Sequence, residues 1–500
     1  MNLGAAFTES VRLNCEKPAI FWGEDTITYG RIGRESQWVA RHLQTLGVKP
    51  LDRVAIWLKN CPEFVSVLFG ILQTGAVVVP INNFLKPDEV DFILRDSGAN
   101  VLVSEAELAP GTTRLREMQP GLKLVEIEAI RQDENAAPIV SAQSQSDLAV
   151  VIYTSGTTGR PKGAMLTHGN LLHNVESCRQ VLRAVSFDRF VVLLPMFHSF
   201  MLTVGIFLPI CVGGSLVLIK SVHPPKNIIL EIIRNQATIL PAIPQLFRTL
   251  AHAQLPPYIP LRLCISGAAP LPGEILREFN ARFPIPLIEG YGLSEASPVV
   301  SLNPIEGPWK AGSIGIPVPG VEVTIQDDLG KILPAPEVGE LCVRGGNVML
   351  GYLNQPEETK LAFRGEWLLT GDVGYKDEDG YIYITDRKKD MLLVNGINVY
   401  PREVEEIIYQ YPGVKEAAVV SRPDARKGEQ PVAFVAPNEN VQIDRRALID
   451  FLREKLADYK VPRQVQFMPA LPRNATGKIL KTKLREIARA KPAEADDTPG

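Results

Sequence analysis

Cysteine is sparse in this chain, and what there is lies scattered. The six cysteines, at positions 15, 61, 178, 211, 264 and 342, are never closer than 33 residues. No CxxC zinc or redox spacing exists, and reduced thiols in a cytoplasmic protein are expected rather than a disulfide framework. An excess of one charge is missing too: 53 Lys+Arg face 56 Asp+Glu, a formal charge of −3. That balance gives nucleic acid no support as the main partner. The first residues, MNLGAAFTESVRLNCEK, lack the basic-then-apolar order of a secretory signal. Residues 201–219 carry 19 uncharged positions, but Pro209 and the Gly213-Gly214 pair divide them into a short helix and a strand. Residues 64–85 break in the same way at Gly75. Both stretches read as buried core, which leaves only peripheral membrane contact open.

What the chain does have is a large apolar fraction, 45% of 500 residues, enough for about three domains or one large one with attachments. The runs SLVLI (215–219), TILPAI (238–243), RLCIS (262–266) and PLIE (286–289) alternate with helix-like PKNIILEIIRNQ and LPGEILREFNARF. Repeated βα units predict an α/β fold with doubly wound parallel sheets, and the first 140 residues alternate more loosely in the same way. From about 313 the texture turns β-rich (VEVTIQDD, GELCVRG, GYIYITD), with DEDG at 377–380 as a hairpin loop. Tyr375 in the first ligand position rules an EF-hand out there. A small α+β unit follows near 390: helix 401–410, strands 415–421 and 431–436, helix 443–457 and a strand near 464–467. We place the boundaries at 1–388 for the N-terminal domain, 389–488 for a mobile C-terminal domain and 489–500 for a disordered tail.

The sharpest local signal is YTSGTTGRPKG at 153–163, after the strand DLAVVI and before a helix from about 169. Its backbone N–H groups can surround phosphate oxygens, the hydroxyls of Thr154, Ser155, Thr157 and Thr158 add donors, and Lys162 adds a positive charge. No G-K-[ST] follows at Walker spacing, and no G-x-S-x-G elbow marks a serine hydrolase. His168 and His173, about 140° apart around a helix, do not form a metal pair.

The loop resembles the phosphate-binding signature of the adenylate-forming superfamily of acyl-CoA synthetases, luciferases and peptide-synthetase adenylation domains. Further matches stand in the same order: Ser266-Gly-Ala-Ala-Pro-Leu271, Glu289-Gly-Tyr-Gly-Leu-Ser-Glu295, Thr370-Gly-Asp372, Asp386-Arg-Lys-Lys-Asp390 and Arg473-Asn-Ala-Thr-Gly-Lys478. The resemblance is greatest to medium- and long-chain fatty acid–CoA ligases, which implies a fatty acid, ATP and coenzyme A as substrates and Mg²⁺ as metal.

The resemblance also implies roles. Glu295, with Thr154, would meet the Mg²⁺ that bridges ATP phosphates. Gly156 and Gly159 complete the phosphate loop, Tyr291 stacks on adenine between Gly290 and Gly292, and Ser294 lies by the phosphate. Gly267, Ala268, Ala269, Glu289 and Ile384 belong to the same nucleotide environment. Asp372 would accept from the ribose hydroxyls, Arg387 contact the nucleotide, and Lys389 serve as hinge. Lys478, Lys162, Glu295 and His198 form the catalytic set, with His198 between the acyl and nucleotide pockets. Gly396 would flank the coenzyme A thiol. Asn398 stands where many members carry a basic residue. An aryl-CoA ligase, an acyl-AMP ligase loading a carrier protein and a non-catalytic nucleotide-binding regulator are the alternatives.

Overall fold

The computed structural model describes residues 1–130, 139, 141–155, 161–222, 224, 226–253, 258–388, 390–394, 397–424, 428–473 and 478–490. Four sheets organise them. In a seven-stranded sheet, Arg53–Trp57 runs parallel to both Val77–Pro80 and Val101–Ser104, and the hairpin Leu148–Ser155/Pro161–Thr167 continues one side. In a nine-stranded sheet, Arg189–Val192, Ser215–Leu218, Ile239–Ala242, Leu263–Ser266 and Leu287–Gly292 form the parallel heart. Strands buried on both faces read as unbroken apolar runs rather than alternating ones. Val77–Pro80, Ser215–Leu218 and Leu263–Ser266 do so, with every residue buried.

Helices close the faces for equally local reasons. Pro62–Gln73 begins with proline at its first position, where no N–H is needed, and is apolar almost all round. It lies between layers, where Phe69 stacks on Phe7 with centroids 4.0 Å apart. His168–Leu182 starts with a capping box between Thr167 and Asn170. His168 itself is tied to the chain start, its Nδ1 accepting from Leu3 N at 3.2 Å.

The long uncharged run is a wide π-helical turn at Met201–Phe207, continued by Leu208–Val212, and Gly213 at φ 73° leads into the strand Ser215–Leu218. Gly205 makes room inside that turn for the Met201 side chain, whose Sδ a Cβ there would meet at 2.1 Å. Among the described residues no helix is long and apolar enough to cross a membrane.

An antiparallel sheet of Val321–Gln326, Gly339–Gly345, Trp367–Lys376 and Ile382–Arg387 follows, with the expected hairpin turn at 377–380. The last sheet pairs Val414–Asp424 with Gly428–Pro437 and carries Gln464–Phe467 in parallel. Helices Pro401–Tyr409 and Arg445–Lys455 pack on it, close to the bounds read from sequence. Three elements there were not anticipated: the short strands Leu392–Val394 and Ile397–Val399, and the helix Lys481–Ala490. In that helix Leu484 and Ala488 are buried against the sheet. Residues 491–500 lie outside the described residues.

Candidate active site

Parallel strands aim their C-terminal ends at a common crevice, where ligands of open α/β sheets bind. The loops after Arg189–Val192, Leu263–Ser266 and Leu287–Gly292 line one wall of a cavity of about 1530 Å³, and Thr370, Asp372, Arg387 and Lys478 line another.

At one end, the antiparallel register sets Thr154 opposite Lys162. Lys162 is only 7% exposed and forms an ion pair with Glu358 while lying 5.3 Å from the Tyr352 ring centroid. The Tyr352 hydroxyl donates to Glu295 Oε1 at 2.9 Å, and Thr154 Oγ1 approaches the same oxygen at 3.4 Å. Burial, then the Glu295 charge, pushes the Tyr352 phenol well above its usual range, so it remains a neutral donor. Among the described residues no group of three His, Cys, Asp or Glu side chains could hold a metal ion. One carboxylate beside one hydroxyl still suits Mg²⁺, which keeps several waters and takes most other ligands from substrate phosphates.

The second cluster is built by a strand pair that sets Asp372 opposite Arg387. Asp372 is 5% exposed, accepts from Tyr291 Oη and forms an ion pair with Arg387, whose Nε lies 3.2 Å away. Its backbone N–H donates to Thr370 Oγ1 at 3.0 Å, fixing the Thr-Gly-Asp turn. Burial, reinforced by Asp372, holds the Tyr291 phenol protonated. Burial would lower Arg387, but the charges of Asp372, Tyr291, Asp390 and Glu295 together outweigh it and the guanidinium stays charged.

Between the clusters stands His198. Asn60 braces its loop, donating to Leu194 O at 2.8 Å and accepting from Met196 N at 2.9 Å. The imidazole Nδ1 faces Phe200 N at 3.3 Å, which leaves the proton on Nε2. Burial, with the nearby Lys478 charge, lowers its pKa to about 4. His198 is therefore neutral near pH 7. Ser199 and Ser294 share a hydroxyl–hydroxyl bond of 2.9 Å. The inner cavity is apolar, with Leu182, Phe200, Val204, Ile265 and Val299. Gly267 packs closely there: a Cβ would meet the Phe200 ring at 3.1 Å, so the ring would have to give by a few tenths of an ångström.

Lys478 reaches the cavity from the C-terminal part of the chain. Its segment is clasped by an antiparallel bridge between Arg473 and Ile479, and by Leu480 N donating to Pro472 O at 2.8 Å. Contacts across the two parts hold this arrangement. Arg248 donates to Lys415 O at 2.6 Å and Val414 O at 2.9 Å, and Arg402 lies 3.8 Å from Glu289.

The structure thus gathers Thr154, Lys162, His198, Gly267, Ala268, Gly290, Tyr291, Gly292, Ser294, Glu295, Asp372, Arg387 and Lys478 around one cavity. Ala269, Glu289 and Ile384 are not among the residues lining that cavity. The chain turns at Ala268, φ +64°, before Ala269. Glu289 instead accepts from Leu271 N at 3.0 Å and faces Arg402. Ile384 packs with the main apolar core. Gly156, Thr157, Thr158, Gly159, Lys389 and Gly396 lie outside the described residues, as does the Ser155 side chain. Sequence reading overlooked Tyr352, Glu358 and Asn60. The first two sit in GYLNQPEET, whose Gly-Tyr and Pro-Glu-Glu pattern was the available signal; Asn60 had none.

The AMP-binding enzyme family matches residues 7–353, and the AMP-binding enzyme C-terminal domain matches 403–478. The chain belongs to the AMP-binding enzyme family. It is 35% identical to a long-chain-fatty-acid–CoA ligase of Bacillus subtilis, over 97% of this chain and 94% of that one. It is 36% identical to a feruloyl-CoA synthase of an Amycolatopsis species, over 97% and 98% respectively. Among solved structures, the anthranilate CoA ligase AuaEII with anthranoyl-AMP aligns at TM-score 0.90 and 31% identity, covering 98% of each chain. The mixed α/β architecture with a large N-terminal and a small C-terminal part is that of this structural neighbour.

Proposed function

We propose that the protein joins a fatty acid to coenzyme A through an acyl-adenylate, releasing pyrophosphate and then AMP. The observation that carries this reading is the convergence of Lys478, Asp372 and Glu295 on one cavity whose inner end is apolar. ATP would lie with its ribose hydroxyls on Asp372, its base against Tyr291 and its phosphates toward Thr154, Lys162 and Ser294. Mg²⁺ on Glu295 and Thr154 would neutralise phosphate charge. The carboxylate attacks the α-phosphate; the C–O–P linkage forms as the bond to pyrophosphate breaks. Little covalent work falls to the protein, so positioning and electrostatics dominate. The Lys478 ammonium meets the charge that develops on the α-phosphate and carboxylate oxygens, an effect commonly worth about 10²–10³ in rate. Neutral His198 offers Nε2–H to the same oxygens without adding a second cation beside Lys478.

In the second half-reaction, the C-terminal domain rotates about Lys389 and the thiol, entering beside Gly396, displaces AMP. The domain boundary at 388/389 and the hinge belong to this proposal, as do the cytoplasmic location and any acyl carrier protein or peripheral membrane contact. Apolar walls gain about 0.8 kcal/mol per methylene buried. kcat/KM should therefore rise from hexanoate through dodecanoate, and benzoate should be poor. Pyrophosphate release measured for acids of two to sixteen carbons, with and without coenzyme A, tests this; an optimum at acetate or benzoate would remove the fatty-acyl assignment. The aryl-CoA reading is favoured by one observation: Phe200, with the tip of its ring at Gly267, lines the cavity and offers an aromatic partner against which a planar acid could pack.

A further inference from the structure

Lys162 presents a physical problem that the phosphate loop alone does not solve. An ammonium only 7% exposed needs a counter-charge before ATP arrives, because an unpaired buried charge is strongly destabilising. Its counter-charge is Glu358, on the helix Pro356–Ala362. The same short segment also reaches the opposite side of the phosphate region. Thr359 Oγ1 accepts from Tyr352 N at 2.8 Å, and Tyr352 Oη donates to Glu295 at 2.9 Å. Gly351, at φ +143°, lets the chain pass against Thr359, where a Cβ would meet Cγ2 at 2.6 Å. One bracket, residues 351–359, therefore holds both the phosphate-side lysine and the metal-side carboxylate. Glu358 is the member of that bracket whose charge opposes a polyphosphate.

We propose that Glu358 is a positioning residue that holds Lys162 in place, competes with the β- and γ-phosphates for it, and so speeds departure of pyrophosphate. This rests on the adenylation reading for its substrate. An anion that binds Lys162 must displace or share the Glu358 contact, and Glu358 repels every further charge on that anion. Pyrophosphate, the more highly charged fragment once the α-phosphate bond is broken, feels that repulsion most. Glu358 is itself partly solvated, its side chain 34% exposed, so it can swing outward when the phosphates enter.

The test compares Glu358→Gln, which keeps a hydrogen-bond acceptor and loses the charge, with Glu358→Asp, which keeps the charge. Binding of MgATP and of magnesium pyrophosphate by calorimetry reads Glu358 without requiring chemistry, and steady-state assays add KM, kcat and product inhibition. For Glu358→Gln the expected result is about tenfold tighter pyrophosphate binding, a lower KM for MgATP, a lower kcat and an unchanged fatty-acid KM. Glu358→Asp should stay within about twofold of the parent in pyrophosphate affinity. Unchanged or weaker pyrophosphate binding in Glu358→Gln, or equal effects of both substitutions, would overturn the proposal. A parent protein that binds MgATP and pyrophosphate but forms no adenylate with any acid would defeat the ligase reading and leave the Glu358 assignment standing. A parent that binds neither would defeat both.

Discussion

Glu289 is the residue whose measured behaviour most directly tests the physics of the junction between the two parts of the chain. Its carboxyl is 6% exposed, between Leu271 N and the Arg402 guanidinium. Burial raises its pKa from 4.5 to about 7, Arg402 and Leu271 N resist that rise, and the nearby Glu406 charge adds to it. The folded protein therefore keeps a proton that the unfolded chain has released. Between about pH 4.5 and 7 the folded state binds more protons, so stability from this group is present below 4.5 and lost as pH rises through 7. The full displacement corresponds to about 3 kcal/mol, of which about 2–3 kcal/mol falls between pH 5 and 8.

The parent protein's own pH profile would not isolate this. Burial lowers both His168 and His198 to about 4. Each contributes the opposite slope, stability gained as pH rises from about 4 to 6.5, and each at a similar magnitude. The perturbation is therefore Glu289→Gln, whose amide oxygen still accepts from Leu271 N but does not titrate. Urea unfolding of both proteins at pH 5, 6, 7 and 8 gives a difference in which the histidines cancel. Relative to the parent, the variant should gain about 2–3 kcal/mol across that range. Parallel profiles within about 0.5 kcal/mol would show that Arg402 keeps Glu289 ionised throughout, and the burial argument would be wrong.

Three other outcomes follow from the cavity. Lys478→Ala should lower the rate of acyl-AMP formation by about 10²–10³ while sparing thioester formation from supplied acyl-AMP, measured as separate half-reactions; equal loss in both refutes its role. Asp372→Asn removes the charge that Arg387 and Tyr291 address and should raise the KM for ATP by about tenfold or more, with little change in the fatty-acid KM. Gly267→Val must push against the Phe200 ring, so kcat/KM for dodecanoate should fall at least about tenfold more than for hexanoate; a uniform loss across chain lengths would place the apolar channel elsewhere.

The legible parts of the fold were those with one dominant cause. Strands buried on both faces announce themselves as unbroken apolar runs, and the strand expected near 464–467 stands at Gln464–Phe467. Helix Lys481–Ala490 was missed because its composition, KTKLREIARA, is mostly polar, and only Leu484 and Ala488 are buried. The π-helical geometry of Met201–Phe207 is equally silent in sequence, since its cause is packing against what surrounds it.

For the site, the motifs supplied the groups proposed to meet substrate, and the structure supplied the groups that meet those groups. Thr154, Lys162, Glu295, Asp372 and Lys478 could be named because hydroxyl, ammonium and carboxylate chemistry is written into short patterns. Tyr352, Glu358 and Asn60 could not, because each acts on a partner distant in sequence: Tyr352 on Glu295, Glu358 on Lys162, Asn60 on the His198 loop. Glu289 shows the same limit in another way. It lies two positions before Tyr291 on one strand, so alternation sends both side chains to the same side of the sheet. Tyr291, nearer the C-terminal end of that strand, lines the cavity, while Glu289 accepts from Leu271 N and faces Arg402 of the C-terminal part. The motif names both residues, but the packing of positions 271 and 402, distant in sequence, decides which partners Glu289 meets.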